Sequence, residues 1–254
     1  MKRVQDFTVI ETQWLNSTSY LLVLGSQSNI EEIRPGNFAE IKVPDAADVF
    51  LRRPISVYDV DHQNNTISFY IKAIGKGTIK LGALDNGSKV DIVYPLGNSF
   101  NSIESGNALI IGGGSGIAPF TLLAEELKEK NSKVTYLFGA RTSEDIVLQD
   151  EFAKHGNVLV TTEDGSLGEK GLVTQHSVFN NITDFDIIYT CGPDPMMKAV
   201  SKIAESNDIV CEASLENMMA CGFGACLCCV TPTVRGNECV CTEGPVFNSK
   251  DLKW

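Results

Sequence analysis

Six of the eight cysteines in this 254-residue chain fall between Cys221 and Cys241, while Cys191 and Cys211 stand alone. Cys221, Cys226 and Cys229 are spaced C-x4-C-x2-C, and Cys241 lies further along. The first three match the spacing of plant-type [2Fe–2S] ligands. Gly222, Gly224 and Ala225 give a loop that can wrap a cluster closely, with its N–H groups turned toward sulfide. Zinc, the competing metal, prefers two C-x2-4-C knuckles and often takes histidine. Only one C-x2-C knuckle is clear, and His62, His155 and His176 all lie far away in sequence. The spacing therefore points to a [2Fe–2S] cluster on Cys221, Cys226, Cys229 and Cys241. Cys228 and Cys239 are left out because using either breaks the spacing; the choice of Cys241 over Cys239 is the least constrained, since the distance to a fourth ligand varies. Cys211 reads as a packed strand residue.

A second feature is the glycine turn Gly112-Gly113-Gly114-Ser115-Gly116-Ile117-Ala118-Pro119 between a strand and a helix. It places backbone N–H groups and a helix N-terminus where a pyrophosphate could sit. It departs from G-x-G-x-x-G, and by itself it is equally compatible with a plain tight turn.

These groups need elements to hold them. Residues 1–100 read as short β-rich strands, among them 7–12, 20–24, 38–43 and 66–71, punctuated by Pro35-Gly36, Asn64-Asn65 and Asn86-Gly87. That pattern predicts an antiparallel β-barrel. Residues 101–210 alternate strand and helix. Ala108-Leu109-Ile110-Ile111 is continuous and apolar, and Phe120, Leu122, Leu123, Ala124 and Leu127 share one face of a helix reaching Lys130. Further strands are expected at 134–138, 158–161 and 186–189. This predicts an α/β doubly wound nucleotide domain. Residues 211–254 are short, cysteine-rich and interrupted by glycine, forming a small C-terminal [2Fe–2S] module without a core of its own.

Composition excludes several alternatives. Apolar residues make up 43% of the chain, as in ordinary soluble proteins. The 21 basic and 32 acidic side chains leave a net charge of −11, which repels phosphate backbones and anionic lipid. No nucleic-acid or membrane partner is expected. Met1-Lys2-Arg3-Val4-Gln5-Asp6 runs into a strand-like pattern instead of a signal peptide, and no run suggests a membrane span. A cytoplasmic location is expected, where clustered cysteines bind metal instead of forming disulfides.

Together the three pieces resemble the ferredoxin–NADP reductase superfamily. Arg53-Pro54-Ile55-Ser56-Val57 stands where that group carries its flavin motif. The resemblance implies that Arg53 pairs with the FAD pyrophosphate, that Ser56 sits near flavin N5, and that Pro54, Ile55 and Val57 shape the pocket. Tyr70-Ile71-Lys72 would flank the isoalloxazine and ribityl chain, and Gly77-Thr78 would meet the pyrophosphate. Gly112, Gly113, Gly114 and Gly116 resemble the pyridine-nucleotide loop, and Phe138-Gly139-Ala140-Arg141 the strand-end motif. Cys191-Gly192-Pro193 followed by Met196-Met197 resembles the C-G-P-x-x-M signature, whose cysteine lies near nicotinamide and flavin. Cys191 and Ser56 are thus the implied catalytic residues. Glu163 and Asp164 at a strand end would repel a 2′-phosphate, which favours NAD, while Arg141 keeps NADP open.

The tail narrows the resemblance. Glu216-Asn217-Met218-Met219-Ala220-Cys221 and Cys241-x-x-Gly244-Pro245-Val246-Phe247 look like the electron-transfer subunits of class 1B dihydroorotate dehydrogenases. That implies an NAD-linked oxidoreductase subunit of pyrimidine biosynthesis with FAD, [2Fe–2S] and NAD. Its partner would be an FMN-containing catalytic subunit in an α2β2 heterotetramer. No residues remain here for a substrate-oxidising (β/α)8 barrel of about 250 residues. A reductase subunit of a related ferredoxin or sulfhydrogenase complex would share this layout. A non-catalytic zinc-binding adaptor on a reductase-like fold is the alternative from a different class.

Overall fold

The computed structural model describes residues 2–254. The first half holds β1 (Arg3–Trp14), β2 (Ser19–Gly25), β3 (Phe38–Ile41), β4 (Arg53–Ser56), β5 (Asp59–Asp61), β6 (Thr66–Lys72), a short helix α1 (Lys76–Gly82) and β7 (Lys89–Leu96). These strands form one antiparallel sheet in the order β4-β3-β7-β1-β2-β6-β5. It curls until β4 comes against β6 without the two edges closing, giving a half-barrel. Alternate residues point inward: Val90, Ile92, Tyr94 and Leu96 of β7 are all buried, as a two-residue repeat on a sheet with one covered face requires. Their partners in the barrel core include Phe7, Tyr20, Leu22, Ile41 and Phe69.

The second half contains β8 (Asn107–Gly113), α2 (Phe120–Glu129), β9 (Lys133–Ala140), α3 (Gln149–Ala153), β10 (Asn157–Thr162), β11 (Glu169–Lys170), β12 (Ile187–Cys191), α4 (Asp194–Ser206) and β13 (Val210–Ser214). The tail adds the hairpin strands β14 (Val230–Thr233) and β15 (Gly236–Cys239), then β16 (Val246–Asn248). The second sheet has the order β11-β10-β9-β8-β12-β13-β16, parallel except for β16. Because helices cover both faces, Ala108 through Ile111 are completely buried. On α2, Phe120, Leu123, Ala124 and Leu127 are buried at helical spacing, while half-buried Leu122 packs against the barrel core instead.

This sheet runs through Ser214, past position 210, and Cys211 is a buried strand residue within it. The tail is not a separate lobe: its buried Cys229, Val240 and Cys241 share a core with Phe38 and Leu96 of the barrel and Met197 and Ala213 of the α/β domain. Asn98, in the connection between the domains, fixes it there. Its side chain donates to the carbonyls of Glu243 (2.9 Å) and Val246 (2.8 Å) and accepts from Val246 N (3.0 Å).

Strand order decides where a ligand can lie. The chain leaves β8 toward β9 on one side and returns to β12 on the other. The crevice beyond the carboxyl ends of β8 and β12 is therefore the topological switch point of the sheet, the usual binding place in open α/β folds.

Candidate functional site

The cysteine loop spans 216–229 without regular structure, and backbone N–H groups turn in toward sulfur. Cys226 N donates to Cys221 Sγ (3.4 Å), Cys228 N to Cys226 Sγ (3.5 Å), Cys241 N to Cys229 Sγ (3.4 Å) and Gly224 N to Cys241 Sγ (3.2 Å). Each of the four expected ligand sulfurs accepts a main-chain hydrogen bond, which is how a protein neutralises an anionic cluster. Desolvation pushes the Cys221 thiol up, but hydrogen bonds from the Phe223, Cys226 and Ala225 backbone and the Cys226 side chain outweigh it and bring it down to about 6. Cys241 is pushed up to about 12 by burial and by the neighbouring Cys229. The four side chains are soft thiolate donors of the chemical kind that binds iron–sulfur clusters, although no three His, Cys, Asp or Glu side chains among the described residues are gathered closely enough to hold a metal ion. Gly222 and Gly224 have φ of +74° and +85°, and a Cβ on Gly222 would lie 2.8 Å from Glu40 Cγ. The loop therefore rests directly on β3.

Glu40 faces that loop from the flavin-motif side, because β3 pairs with β4 and places Glu40 opposite Pro54. It is fully buried, and neither carboxylate oxygen has a hydrogen-bond partner. Burial pushes its carboxyl up to about 7 against the lowering charges of Arg52 and Arg53, with Cys221 adding to the rise.

On β4, residues Arg53, Pro54, Ile55 and Ser56 are all half-exposed. Arg52 is committed to Asp91 through two hydrogen bonds of 3.0 and 2.9 Å. Arg53 bonds only main-chain oxygens, those of Arg52 (3.0 Å) and Leu51 (2.8 Å), and no carboxylate pairs with it among the described residues. Gly77 lets it pass: a Cβ there would sit 2.9 Å from Arg53 Cδ. The Thr78 hydroxyl accepts from Gly75 N (3.1 Å) in the first turn of α1. Tyr70 and Ile71 are buried, and the Tyr70 hydroxyl bonds Ser19 Oγ (3.3 Å). Lys72 crosses between the domains: its Nζ pairs with Asp145 at 3.1 Å and lies 3.8 Å from where a Cβ on Gly114 would be.

At the switch point the glycine turn and the Cys-Gly-Pro segment meet, because β8 pairs with β12 in a register that sets Gly112 beside Cys191. Their approach depends on missing side chains. A Cβ on Gly116 would be 2.2 Å from Cys191 O, and one on Gly113 would be 2.8 Å from Met196 Sδ and 2.9 Å from Pro193 Cδ. Gly114 and Gly192 have φ of +60° and +146°. Cys191 is fully buried; desolvation and the charge of Glu216 push its thiol well up, and hydrogen bonds with Ser214 and Gly192 only partly offset this. Arg141 is exposed at the end of β9, beside the exposed Glu163 and Asp164: Asp164 N donates to Arg141 O (3.2 Å) and Glu163 N to Ala140 O (3.0 Å).

Residues 216–253 match the family described as the iron-sulfur cluster binding domain of dihydroorotate dehydrogenase B, and residues 110–202 match the oxidoreductase NAD-binding domain. The electron transfer subunit of dihydroorotate dehydrogenase B (NAD(+)) from Fusobacterium nucleatum is 33% identical over 261 residues, covering 99% of both chains. The subunit of the same name from Geobacillus thermodenitrificans is 36% identical over 255 residues, covering 98% of both. The chain belongs to this family of electron transfer subunits. Among solved structures, that of an NADH-dependent reduced ferredoxin-NADP oxidoreductase, described for flavin-based electron bifurcation, superimposes with a TM-score of 0.88 at 30% identity over 98% of this chain and 90% of the other. The FAD/NAD-binding domain of a nitric oxide dioxygenase from Vibrio cholerae, 22% identical, shares the fold with a TM-score of 0.71 over 81% of this chain and 94% of the other.

The chain therefore brings its expected residues into three groups: Arg53 with Gly77, Gly112–Gly116 with Cys191–Pro193, and the cysteine loop, whose Gly222 rests on Glu40 of β3. Arg141 stands apart from all three, on the β9–β10 rim. Ser214 and Glu40 have no place among the residues expected from the sequence: Ser214 reaches Cys191 only because β13 lies beside β12, and Glu40 shows itself only as a charged residue in an otherwise apolar strand. Glu216 had a signal of its own, since it opens the segment that leads into the cysteine loop.

Proposed function

We propose that this chain passes electrons between NAD and a separate FMN-containing dihydroorotate dehydrogenase catalytic subunit, through its own FAD and [2Fe–2S] cluster, in an α2β2 assembly of pyrimidine biosynthesis. The observation that carries the reading is the packing of the cysteine loop on β3, directly behind the flavin-motif strand. Cys221, Cys226, Cys229 and Cys241 would hold a one-electron centre on that loop, and the β4 residues would hold the flavin, within one packed unit. Bound FAD supplies the exchange between hydride pairs and single electrons.

The chain's own residues bind, orient and exclude. Arg53 makes no ion pair among the described residues and would offer its charge to the FAD pyrophosphate, with Gly77 and Thr78 alongside. Pro54, Ile55 and Ser56 line the flavin pocket, with Tyr70, Ile71 and Lys72 on its flank. Gly112, Gly113, Gly114 and Gly116 leave room for the NAD pyrophosphate at the switch point. Gly192 and Pro193 close the nicotinamide end. Cys191 remains a protonated thiol under Gly116, so it acts by shape and as a weak polar contact, not as a nucleophile. Glu163 and Asp164 suit ribose hydroxyls better than a 2′-phosphate, which makes NAD the partner of this rim, with Arg141 on its edge. Cys221, Cys226, Cys229 and Cys241 hold the cluster, and the location is cytoplasmic. No helix among the described residues is long and apolar enough to cross a membrane.

The partner docks beside the cluster, where Met218, Phe223 and Leu227 are 84%, 55% and 64% exposed. Large apolar side chains grouped on one loop are the mark of an interaction surface. A second reading, a reductase subunit of a ferredoxin-NADP oxidoreductase complex, is favoured by the TM-score of 0.88 noted above. The two separate in one assay. Mixed with the FMN subunit, the chain is expected to give dihydroorotate-dependent reduction of NAD that neither gives alone. Oxidation of dihydroorotate by this chain by itself, or failure to couple to the FMN subunit while coupling to ferredoxin, would overturn the assignment.

A further inference from the structure

The ammonium of Lys72 does not stay with the barrel that carries it. The residue ends β6 beside Ser19 of β2, its carbonyl accepts from Ile74 N (3.0 Å), and Tyr70 and Ile71 before it are buried. The side chain then crosses to the α/β domain, where Nζ stands 3.1 Å from the Asp145 carboxylate. It also lies 3.8 Å from the point a Cβ on Gly114 would occupy, and Gly114, at φ +60°, presents bare backbone there. Asp145 closes the short helical turn Ser143–Asp145 that follows β9 and Arg141. The residue before it reaches the barrel as well, since Glu144 O accepts from Asn16 Nδ2 at 2.8 Å. A cation of one domain and an anion of the other thus meet at the lip of the glycine turn.

Resting on the nucleotide site proposed above, we infer that Asp145 stands in for a phosphate of NAD on Lys72: in the free chain it holds the ammonium that the nucleotide recruits, and so it sets the affinity for NAD downward. A pyrophosphate carries two negative charges where the carboxylate carries one, so the same ammonium gains more from the nucleotide. Releasing it costs little, because the two side chains are 22% and 28% exposed and an ion pair open to water is weak. No backbone need move, since the flexible lysine stem can turn its ammonium from Asp145 to the glycine turn beside it. The Asp145 contact is nevertheless lost each time the nucleotide binds, and that loss is subtracted from its affinity. A bridge that only held the domains together would act in the opposite sense: breaking it would loosen the cleft and weaken binding.

The test is calorimetric titration of the oxidised full chain, loaded with its cofactors, with NAD and separately with ADP-ribose, which carries the pyrophosphate without the nicotinamide. Asp145→Asn should bind both ligands about threefold to fivefold more tightly, the range of a weak ion pair released. Lys72→Met should bind both at least tenfold more weakly, as loss of a charged hydrogen bond implies. In the double variant the gain from Asp145→Asn should shrink below about twofold, because the two residues act through one contact. If Asp145→Asn does not fold, Asp145→Ala takes its place. Weaker or unchanged binding by the Asp145 variant would overturn the inference, make the pair a plain tie between domains and leave the nucleotide site standing. The full gain persisting without Lys72 would overturn it too, since Asp145 would then act on the nucleotide directly. A wild-type chain that binds neither NAD nor ADP-ribose would overturn the nucleotide site itself, and the inference with it.

Discussion

Replacing Glu40 with glutamine should remove a pH dependence that the wild-type chain carries. Its carboxyl is fully buried, has no hydrogen-bond partner, and is raised from 4.5 to about 7, with desolvation the main cause. Between these values the folded chain binds more protons at this site than the unfolded one. Glu40 is therefore tolerated fully below about pH 4.5, and stability is lost as pH rises through 7, after which the loss is complete. A rise of that size is worth about 3 kcal/mol. For a chain of this size that is about 6–12 °C in Tm. Glutamine keeps the shape and cannot ionise, so Glu40→Gln should match the wild type near pH 5 and melt about 6–12 °C higher at pH 8.5. The assay is thermal unfolding at pH 5 to 8.5, with protein concentration and cofactor loading held equal. Parallel Tm curves for the two proteins would refute the reasoning, because Glu40 would then not be a buried charge in the folded chain.

Other perturbations follow from the same geometry. Gly116→Ala sets a Cβ 2.2 Å from Cys191 O, a backbone atom that cannot move aside. It should weaken NADH binding at least tenfold in stopped-flow flavin reduction while FAD and iron content are retained. Asn98→Ala removes three hydrogen bonds between the interdomain connection and the tail. At about 1 kcal/mol each it should cost about 3 kcal/mol, read as a lowered Tm with early loss of the cluster. Phe223→Asp combined with Leu227→Asp should weaken binding of the FMN subunit at least tenfold by calorimetry and leave NADH reduction of the FAD unchanged. Cys228→Ser should keep the full iron content.

Much of this was readable in the residues themselves. Continuous burial at Ala108–Ile111, the glycine turn after it and the C-x4-C-x2-C spacing each have a local physical cause, so each could be placed without knowing the fold. The flavin and nucleotide segments carried meaning only as a set, since Arg53 or Gly77 alone is an ordinary residue. What stayed hidden depends on contacts between segments distant in sequence. Nothing around Phe38–Ile41 announces that Glu40 will lie beneath Gly222, more than 180 positions away in the chain. Leu122 fits the α2 face by period, yet it turns to the barrel because a second domain is there to receive it. The β16 strand, closing the α/β sheet from the tail, is likewise a tertiary outcome, decided when Asn98 captures Val246.

The most direct test of the central claim is an anaerobic NADH titration of the purified chain, followed by visible and EPR spectra with iron and acid-labile sulfide assays. NADH should bleach the flavin and bring up a [2Fe–2S] signal, with about two irons and two sulfides per chain. A colourless protein, zinc in place of iron, or a flavin that NADH reduces without any electron reaching the cluster would contradict it.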